Sequence, residues 1–488
     1  MNRENHLSEA PAYIGFGEYT NHIPTNIPLA VQQATDRFIN MRAARLAEMP
    51  HWEDLRQAGH EIRLHTLLHL DSYLEMLAQK VEEAGGQVHW AQDASQARQI
   101  VIDIAQQHNV RTAVKVKSMA TEEIGLNHAL EEVGIKAYET DLGEFIIQLA
   151  GTGPSHIIVP AVHLKKEEIA ALFREKLGVE APEDPIQLAA IARQTLRERF
   201  LAADMGISGA NFLVAETGTL VIVTNEGNGR MCTTLPDLHV AVVGIDKVVP
   251  DWDSLTVLLK LLARSATGQK LSAYTSFITG PCRVEGEGGP KEFHLVLLDN
   301  GRSRVLRDPI GRETLKCIRC GCCLNVCPVY KNVGGYAYGW FISGPIGAIF
   351  SPQILGIEAG RELPFASSLC GACADVCPVK IPIPKILLNL RHRVVEGDEF
   401  EEPVAPALLR TGVKLGTFAL SKPWLYRLGT RWLPILQAPL RRNGWLPALP
   451  PPINRWTKVR PFPIFVGGFR QWWAKRESEK DKRQGGGG

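Results

Sequence analysis

The sequence predicts an α/β N-terminal domain with a largely parallel sheet, followed by an α-helical domain built around cysteines and an irregular C-terminal region rich in tryptophan and proline. Three observations support this class. Strand and helix patterns alternate between residues 85 and 304, eight of the ten cysteines lie between residues 317 and 377, and six of the ten tryptophans follow residue 399. The predicted boundaries are 1–84 for an N-terminal helical segment, 85–304 for the α/β domain, 305–398 for the cysteine-rich domain and 399–488 for the C-terminal region.

Composition places the chain among ordinary globular proteins. Its 488 residues are 45% hydrophobic and 22% charged, enough for a large core and two or three domains. The formal net charge of +2 gives no general electrostatic reason to expect a nucleic acid partner. Residues 1–20 lack the basic start and apolar run of a signal peptide, so we expect a cytoplasmic protein whose thiols stay reduced.

The N-terminal half predicts helices followed by alternating elements. Apolar residues recur at helical spacing from about Ala30 to Glu83, and Gly85 and Gly86 mark a helix end. The strand patterns that follow are "QVHWA", "TAVKVK", "KAYET", "HIIVPAV", "GTLVIVTNE", "HVAVVGID" and "EFHLVLLDN". Helical patterns separate most of them, including a long one from Pro185 to Ala203. This alternation is typical of a parallel sheet covered by helices.

The cysteine spacing predicts iron–sulfur clusters. A first run reads C-x2-C-x2-C-x3-C-P from Cys317 to Pro328, and a second, "CGACADVCP", begins at Cys370. The first spacing is that of bacterial four-iron clusters, in which the fourth cysteine of each run binds the other cluster. Structural zinc is the alternative, but it needs only four ligands in two pairs. We therefore predict a two-cluster, ferredoxin-like domain with two [4Fe-4S] clusters.

The crossed ligand rule leaves the second predicted cluster one cysteine short. The rule assigns the first cluster to Cys317, Cys320, Cys323 and Cys377, and the second to Cys327, Cys370 and Cys373. The missing ligand would stand at Ser367, a harder and usually weaker ligand for iron. Cys322 is an unsuitable substitute because its neighbour Cys323 already faces the first cluster. We expect Cys322 to bind no iron and the second cluster to have an open or non-cysteine corner.

Residues 332–357 contain no charged side chain, which raises the possibility of a membrane span. A span would place Cys327 and Cys370 on opposite sides of a bilayer, although the crossed rule requires them on one cluster. Glycine and proline also interrupt the segment repeatedly. We therefore predict an apolar loop that wraps over the clusters.

The C-terminal region has three interpretations. Tryptophans at positions 424, 432, 445, 456, 472 and 473 lie among prolines and arginines. This composition suits docking on a partner subunit, and it equally suits an irregular wrap around the protein's own cluster domain. Peripheral contact with a membrane surface is the third interpretation. The ending "SEKDKRQGGGG" is typical of a disordered tail.

The α/β domain also contains candidate ligand-binding residues. Lys115, Lys117 and Ser118 lie at the end of a predicted strand, where open α/β sheets usually bind ligands. The two lysines could hold a carboxylate, or they could be solvated charges. Glu216 lies on a second such turn, and "NEGNGR" either presents amides to an anion or connects a hairpin. "GTGPSH" has only two of the three glycines of a dinucleotide fingerprint, which argues against a nicotinamide site.

The sequence resembles the lactate utilization protein B family over nearly its whole length. The resemblance rests on "KVKSMATEEIGLNHALEEVGIKAYETDLGEFIIQLAG", "GISGANFLVAETGTLVIVTNEGNGR", the Cys317 motif and "LCGACADVCPVKIPI". It implies a LUD-type domain related to sugar-phosphate isomerases and CoA transferases, and a two-cluster ferredoxin-like domain. It also implies an iron–sulfur electron-transfer subunit that, with two partner subunits, oxidises L-lactate to pyruvate.

Residue chemistry alone leaves the activity open. The expected ligand is a small hydroxy or keto acid, but the spacing does not reveal which one. Related two-cluster subunits serve several dehydrogenases, so another hydroxy acid such as glycolate is an alternative substrate. A redox-responsive ligand-binding or assembly protein is a second alternative. The catalytic residues are not predicted.

Overall fold

The computed structural model describes residues 11–477 except 12, 24–25, 158, 285–286, 400, 450–453, 455–456, 458–459, 466–467 and 470–471. The chain divides into two compact units, Met1–Val404 and Ala405–Gly488. Trp456 and the predicted tail at 478–488 lie outside the described residues.

The first unit contains the predicted parallel sheet, which is confirmed. The strands of the unit are β1 Gln87–Ala91, β2 Thr112–Lys115, β3 Lys136–Glu139, β4 Met205–Ser208, β5 Phe212–Val214, β6 Thr219–Thr224, β7 Leu238–Gly244, β8 Val248–Val249, β9 Tyr274–Ile278 and β10 Glu292–Leu298. Six of them form a parallel sheet in the order β1-β10-β7-β4-β2-β3. β7 is buried along its whole length, as expected for a central strand covered on both faces.

A smaller sheet of four strands stands beside the large one. Its order is β8-β5-β6-β9, and β6 pairs antiparallel with both β5 and β9. Only β6 was predicted, because β5 and β8 are too short for a periodic signal.

Helices cover the large sheet on both faces. The longer ones in this part of the chain are Ala94–Gln107, Leu142–Ala150, Lys166–Leu177, Pro185–Ala202 and Trp252–Ala266. Several begin at aspartate caps, as where Asp141 accepts bonds from the backbone amides of Gly143 and Glu144. One apolar cluster includes Val101 and Leu130, and a second includes Leu77 and Val243. The alternating strand and helix pattern therefore folded as predicted, with one exception.

The exception is "HIIVPAV", which we predicted to be a strand and whose described residues form bends and turns. Its Pro160 carbonyl accepts bonds from both the amide and the hydroxyl of Ser155, closing a local loop. His156 and Ile157 are buried without strand pairing. The prediction was wrong because burial in a tight loop produces the same apolar run as a buried strand.

The N-terminal segment forms the helices Asn26–Ala47, Trp52–Leu68 and Leu70–Glu83, after the short helix Phe16–Tyr19. Arg63 on the second long helix is 1% exposed. Its guanidinium donates to the carbonyl oxygens of Val248 at 2.7 Å and Leu315 at 3.0 Å. This segment therefore connects the small sheet with the chain that leads into the cysteine motif.

The cysteine-rich region is helical. Its helices are Arg302–Arg307, Cys322–Asn325, Pro328–Val333, Gly344–Leu355, Ile357–Gly360, Ala372–Asp375 and Ile383–Glu396. The apolar loop predicted for 332–357 is corrected by the buried helix Gly344–Leu355. Pro345 stands in its first turn, where a missing amide proton has no cost. Among the described residues, no helix has the length and apolar character required to cross a membrane.

The second unit is also more regular than predicted. It contains the helices Ala407–Ser421 and Pro423–Leu436, and a pair of two-residue strands, Trp445–Leu446 and Phe462–Pro463. The expectation of an irregular region was wrong here because we gave too much weight to proline, which is tolerated in a first turn such as that of Pro423. Trp424 is 63% exposed.

Candidate metal centre and adjoining cavity

The two cysteine runs have the same local geometry. Arg319 and Gly321 have φ values of 59° and 70°, and Leu369 and Gly371 have values of 53° and 89°. Such left-handed residues turn the chain sharply, which lets closely spaced thiols point toward one region. The turned backbone also supplies amide donors to sulfur, as from Arg319 N to Cys317 Sγ at 3.4 Å and from Ile381 N to Cys377 Sγ at 3.3 Å.

The first group of thiols combines both runs. Burial raises the pKa of Cys323 well above its usual range, and repulsion from nearby thiols raises it further. The thiols concerned are Cys317, Cys320, Cys373 and Cys377, so two cysteines of the second run act on Cys323. Burial likewise raises the pKa of Cys377 to about 11, with Cys317 adding to the effect. Cys377 of the second run therefore lies with three cysteines of the first.

The second group also combines both runs. Burial raises the pKa of Cys373 to about 12, and repulsion from Cys327 and Cys370 contributes. Cys370 is the exposed member of this group. Ser367, at the position of the missing cysteine, accepts a hydrogen bond on its hydroxyl oxygen from Leu369 N at 3.1 Å. One side of this group therefore approaches the protein surface.

Cys322 is 1% exposed and belongs on the side of the first group. Burial raises its pKa, and the nearby charges of Arg42 and Arg56 oppose that rise. Its thiol affects the pKa of Cys320 and Cys377. It contributes to none of the resolved pKa shifts of Cys327 and Cys373.

Cations surround the first group. Arg56 donates to the carbonyl oxygen of Cys377 at 2.8 and 3.0 Å, and Arg42 donates to that of Val376 at 3.2 Å. Lys247 donates to the carbonyl oxygen of Cys317 at 3.3 Å. Positive charge this close favours the more negative, reduced state of a metal cluster. Sequence reasoning missed these residues, which come from distant parts of the chain.

The donor set fits iron–sulfur clusters. None of the ten cysteines forms a disulfide. Most of the seven thiols in the two groups are buried with raised pKa values, so as free thiols they stay protonated. Iron binds thiolates directly and would compensate their buried negative charge. The amide donors to Cys317, Cys327 and Cys377 would stabilise the same sulfurs.

A cavity of about 370 Å³ lies between the α/β region and the first cysteine loop. It is lined on one side by the residues after β2 and on the other by Ile318 and Arg319. Its polar and charged lining consists mainly of Lys117, Ser118, Glu123, Asp141, Asn211, Thr224, Asn225, Glu226, Asn228, Lys247, Arg302 and Arg319. The "NEGNGR" segment thus contributes to the cavity, and it leads into the helix Asn228–Thr234 instead of a hairpin.

Two of the predicted ligand residues line this cavity and two do not. Lys117 and Ser118 line it. Lys115 is fully buried and its ammonium group contacts Glu122 and Glu139 at 2.6 Å each, so it is a structural ion-pair partner. Glu216 lies on the β5–β6 turn of the small sheet, where its amide donates to Pro250 O at 3.0 Å. Lys115 and Glu216, two of the predicted ligand residues, therefore do not share a pocket with Lys117.

The lysine in the cavity is incompletely compensated. Lys117 Nζ is buried without a hydrogen-bond acceptor in the described part of the chain, 3.5 Å from Glu144 Oε1. Burial raises the pKa of Glu144 well above its usual range, which disfavours the ionised carboxylate beside Lys117. Burial also raises the pKa of Glu226 to about 7. A buried ammonium group facing weakly ionised acids is suited to an added anion.

Family comparisons agree with this architecture. Residues 74–298 match the LUD domain, and residues 313–381 match the 4Fe-4S dicluster domain. The fold and the thiol groups thus define a LUD-domain protein with an attached iron–sulfur domain.

Curated relatives identify the family more narrowly. The chain is 45% identical over 454 residues to lactate utilization protein B of Bacillus licheniformis, covering 92% of this chain and 94% of that protein. It is 44% identical over 459 residues to lactate utilization protein B of Bacillus subtilis, covering 93% and 95%. The chain belongs to the lactate utilization protein B family. A crystal structure of a DUF162 family protein from Deinococcus radiodurans covers 47% of this chain and 98% of that one at 12% identity, with a TM-score of 0.27, too low to support an argument.

Proposed function

We propose that the chain is the iron–sulfur electron-transfer subunit of a complex that oxidises L-lactate to pyruvate. The observation that carries the proposal is that thiols of the two cysteine runs lie close enough to raise one another's pKa, as Cys377 does for Cys323 and Cys327 for Cys373. Such closeness between the runs is what the crossed ligation of two-cluster ferredoxins requires. The names of the curated relatives support lactate as the substrate.

Two [4Fe-4S] clusters are proposed. Cys317, Cys320, Cys323 and Cys377 hold the first, and Cys327, Cys370 and Cys373 hold the second, which has an open or non-cysteine corner. The exposure of Cys370 supports that last feature, because water or a partner's side chain can reach this part of the second cluster. When bound, each cluster supplies one-electron redox chemistry at the centre of the domain.

The overall reaction releases two electrons and two protons from each lactate. The two thiol groups would each hold a cluster that supplies one-electron chemistry, so the complex would have places for both electrons. Two partner subunits complete the complex in this proposal. The exposed apolar side chains of the C-terminal unit, such as Trp424 and Leu408, support partner contact through that unit.

A reductive titration followed by electron paramagnetic resonance tests the proposal. The anaerobic protein should take up about one electron per cluster and give two signals that interact magnetically. Clusters that remain oxidised throughout the titration would favour a structural role, and hence the alternative of a ligand-binding or assembly protein.

A further inference from the structure

We propose that Lys117 and Arg319 together bind the carboxylate of a small 2-hydroxy or 2-keto acid in the cavity beside the first cysteine loop. We also propose that this binding is linked to the oxidation state of the first cluster. The inference rests on the proposed function for the presence of that cluster. It adds a binding site, a second cationic residue and a means of coupling.

Arg319 lies both in the first cysteine run and at the cavity. Arg319 lies between Cys317 and Cys320, and its own amide donates to Cys317 Sγ at 3.4 Å. It lines the same cavity as Lys117, although 201 residues lie between the two positions in the sequence. One residue therefore contacts a proposed cluster ligand through its backbone and the cavity through its side chain.

The cavity is lined by four cationic side chains that differ in their partners: Lys117, Lys247, Arg302 and Arg319. Arg302 is bound to Glu123 at 2.6 and 2.8 Å and to Asp246 at 2.6 Å. Lys247 is bound to Asp246 at 2.7 Å. These two cations are thus already paired with buried carboxylates.

The other two cations are only partly compensated, since Lys117 Nζ has Glu144 Oε1 at 3.5 Å but no hydrogen bond to it. Within the part of the chain that the structure describes, Lys117 Nζ and Arg319 Nη1 are both buried and donate to no acceptor. The Arg319 guanidinium is held 4.3 Å from the centre of the Phe350 ring, which fixes its position without using its donors. Buried donors without acceptors are costly, so these two atoms favour a ligand that supplies oxygens.

The acidic residues of the cavity do not meet this need. Glu123 is engaged by Arg302, and Asp141 accepts from the amides of Gly143 and Glu144. Glu226 accepts from Leu142 N at 3.2 Å. A carboxylate from outside is therefore the missing acceptor.

The size and lining of the cavity define the class of ligand. A volume of about 370 Å³ is at the small end of the usual range for ligand sites, about 300–1,000 Å³. Lysine and arginine are the usual partners of a carboxylate. Ser118 and Asn211 offer hydrogen bonds to an oxygen at the second carbon, and Val116 and Ile222 offer an apolar wall for a methyl group. A three-carbon hydroxy or keto acid has each of these features.

Coupling follows from charge. Reduction adds one negative charge to the first cluster, which opposes an anion held by Arg319 on the adjoining loop. The reduced protein should then bind the acid more weakly, and by linkage the bound acid must lower the reduction potential by an equal free energy. A tenfold difference in affinity corresponds to about 59 mV for one electron.

Binding measurements on the full chain, with clusters assembled anaerobically, test the site. L-lactate and pyruvate are the probes, and calorimetry gives the dissociation constant. Lys117→Gln and Arg319→Gln should each weaken binding about 10- to 100-fold, the usual cost of losing a hydrogen bond to a charged group. Arg319→Lys should restore part of the loss. Arg193→Gln and Lys291→Gln, at exposed positions away from the cavity, are the matched controls.

The double variant and the potential of the first cluster complete the test. If both cations hold one carboxylate, the two effects will be strongly non-additive. Saturating pyruvate should lower the potential of the first cluster in the wild type and not in Arg319→Gln. Iron content, measured in every variant, separates loss of binding from loss of a cluster. If Arg319→Gln loses iron, the inference is tested by the affinity of Lys117→Gln and by the effect of the acid on the cluster potential of the wild type.

Three results would overturn the inference: normal affinity in iron-replete Lys117→Gln, a first-cluster potential that responds to neither acid, or failure of both L-lactate and pyruvate to bind the wild type. The proposed function fails differently, since acid binding would persist while the clusters accept no electrons.

Discussion

Replacing Cys322 with alanine tests whether this thiol binds iron. Cys322 is next to Cys323 in sequence, and its thiol raises the pKa of Cys320. The crossed assignment nevertheless gives it no iron. Cys322→Ala should therefore keep both clusters, whereas Cys373→Ala should empty the second site.

The expected magnitudes follow from burial and ligand number. Cys322 is 1% exposed, and burial raises its pKa, so it behaves as a small apolar group. Its truncation should lower the free energy of unfolding by about 1 kcal/mol, as for loss of a buried methyl group. The iron content should stay at about eight atoms per chain in Cys322→Ala and fall to about four in Cys373→Ala.

Iron and acid-labile sulfide are measured on anaerobic protein, with the resonance spectrum of the reduced state as the second readout. Cys377→Ala is the informative companion, because crossed ligation predicts the same lost signal as for Cys320→Ala. Loss of a cluster in Cys322→Ala would refute this assignment. So would spectroscopic evidence that four cysteines bind each cluster.

Three further variants test the surroundings of the site. Glu123→Gln breaks the ion pair with Arg302, in which the Glu123 side chain is 1% exposed and the Arg302 side chain 3% exposed. It should lower the free energy of unfolding by about 3–5 kcal/mol in urea titrations, and an unchanged midpoint would contradict this. Burial lowers the pKa of His156 to about 4, so the unfolded chain takes up a proton first and stability should fall by about 3 kcal/mol as the pH drops from about 6.5 to 4. His156→Gln should reduce that dependence in thermal unfolding, and an identical pH profile would contradict it. Arg56→Gln should lower the reduction potential of the first cluster and leave the second nearly unchanged, whereas equal shifts of both would contradict the assigned position of Arg56.

Local patterns were sufficient to predict the parallel sheet and the two cysteine runs. Strands such as β7 are continuous apolar runs between helices, and this signal does not depend on distant residues. The apolar run that contains Pro160 was wrongly predicted to be a strand, because a buried turn can have the same composition as a buried strand. Local pattern alone cannot show which partner buries an apolar segment.

The cavity could be predicted only in part. Lys115 and Lys117 look equivalent in sequence, but β2 ends at Lys115, which pairs in register with Glu139 on β3. The chain then leaves the strand, and Lys117 enters the cavity. The position of Arg319 between Cys317 and Cys320 was visible in the sequence. Its contact with the cavity was not, because it depends on packing between distant segments.

The most direct measurement of the central claim is the visible absorbance of the clusters when L-lactate is added anaerobically. The chain is examined alone and after assembly with its proposed partner subunits. The account predicts that L-lactate bleaches the brown absorbance of the assembled complex and leaves that of the isolated chain unchanged. Bleaching of the isolated chain would contradict the subunit role, and a complex that responds to glycolate but not to L-lactate would contradict the substrate.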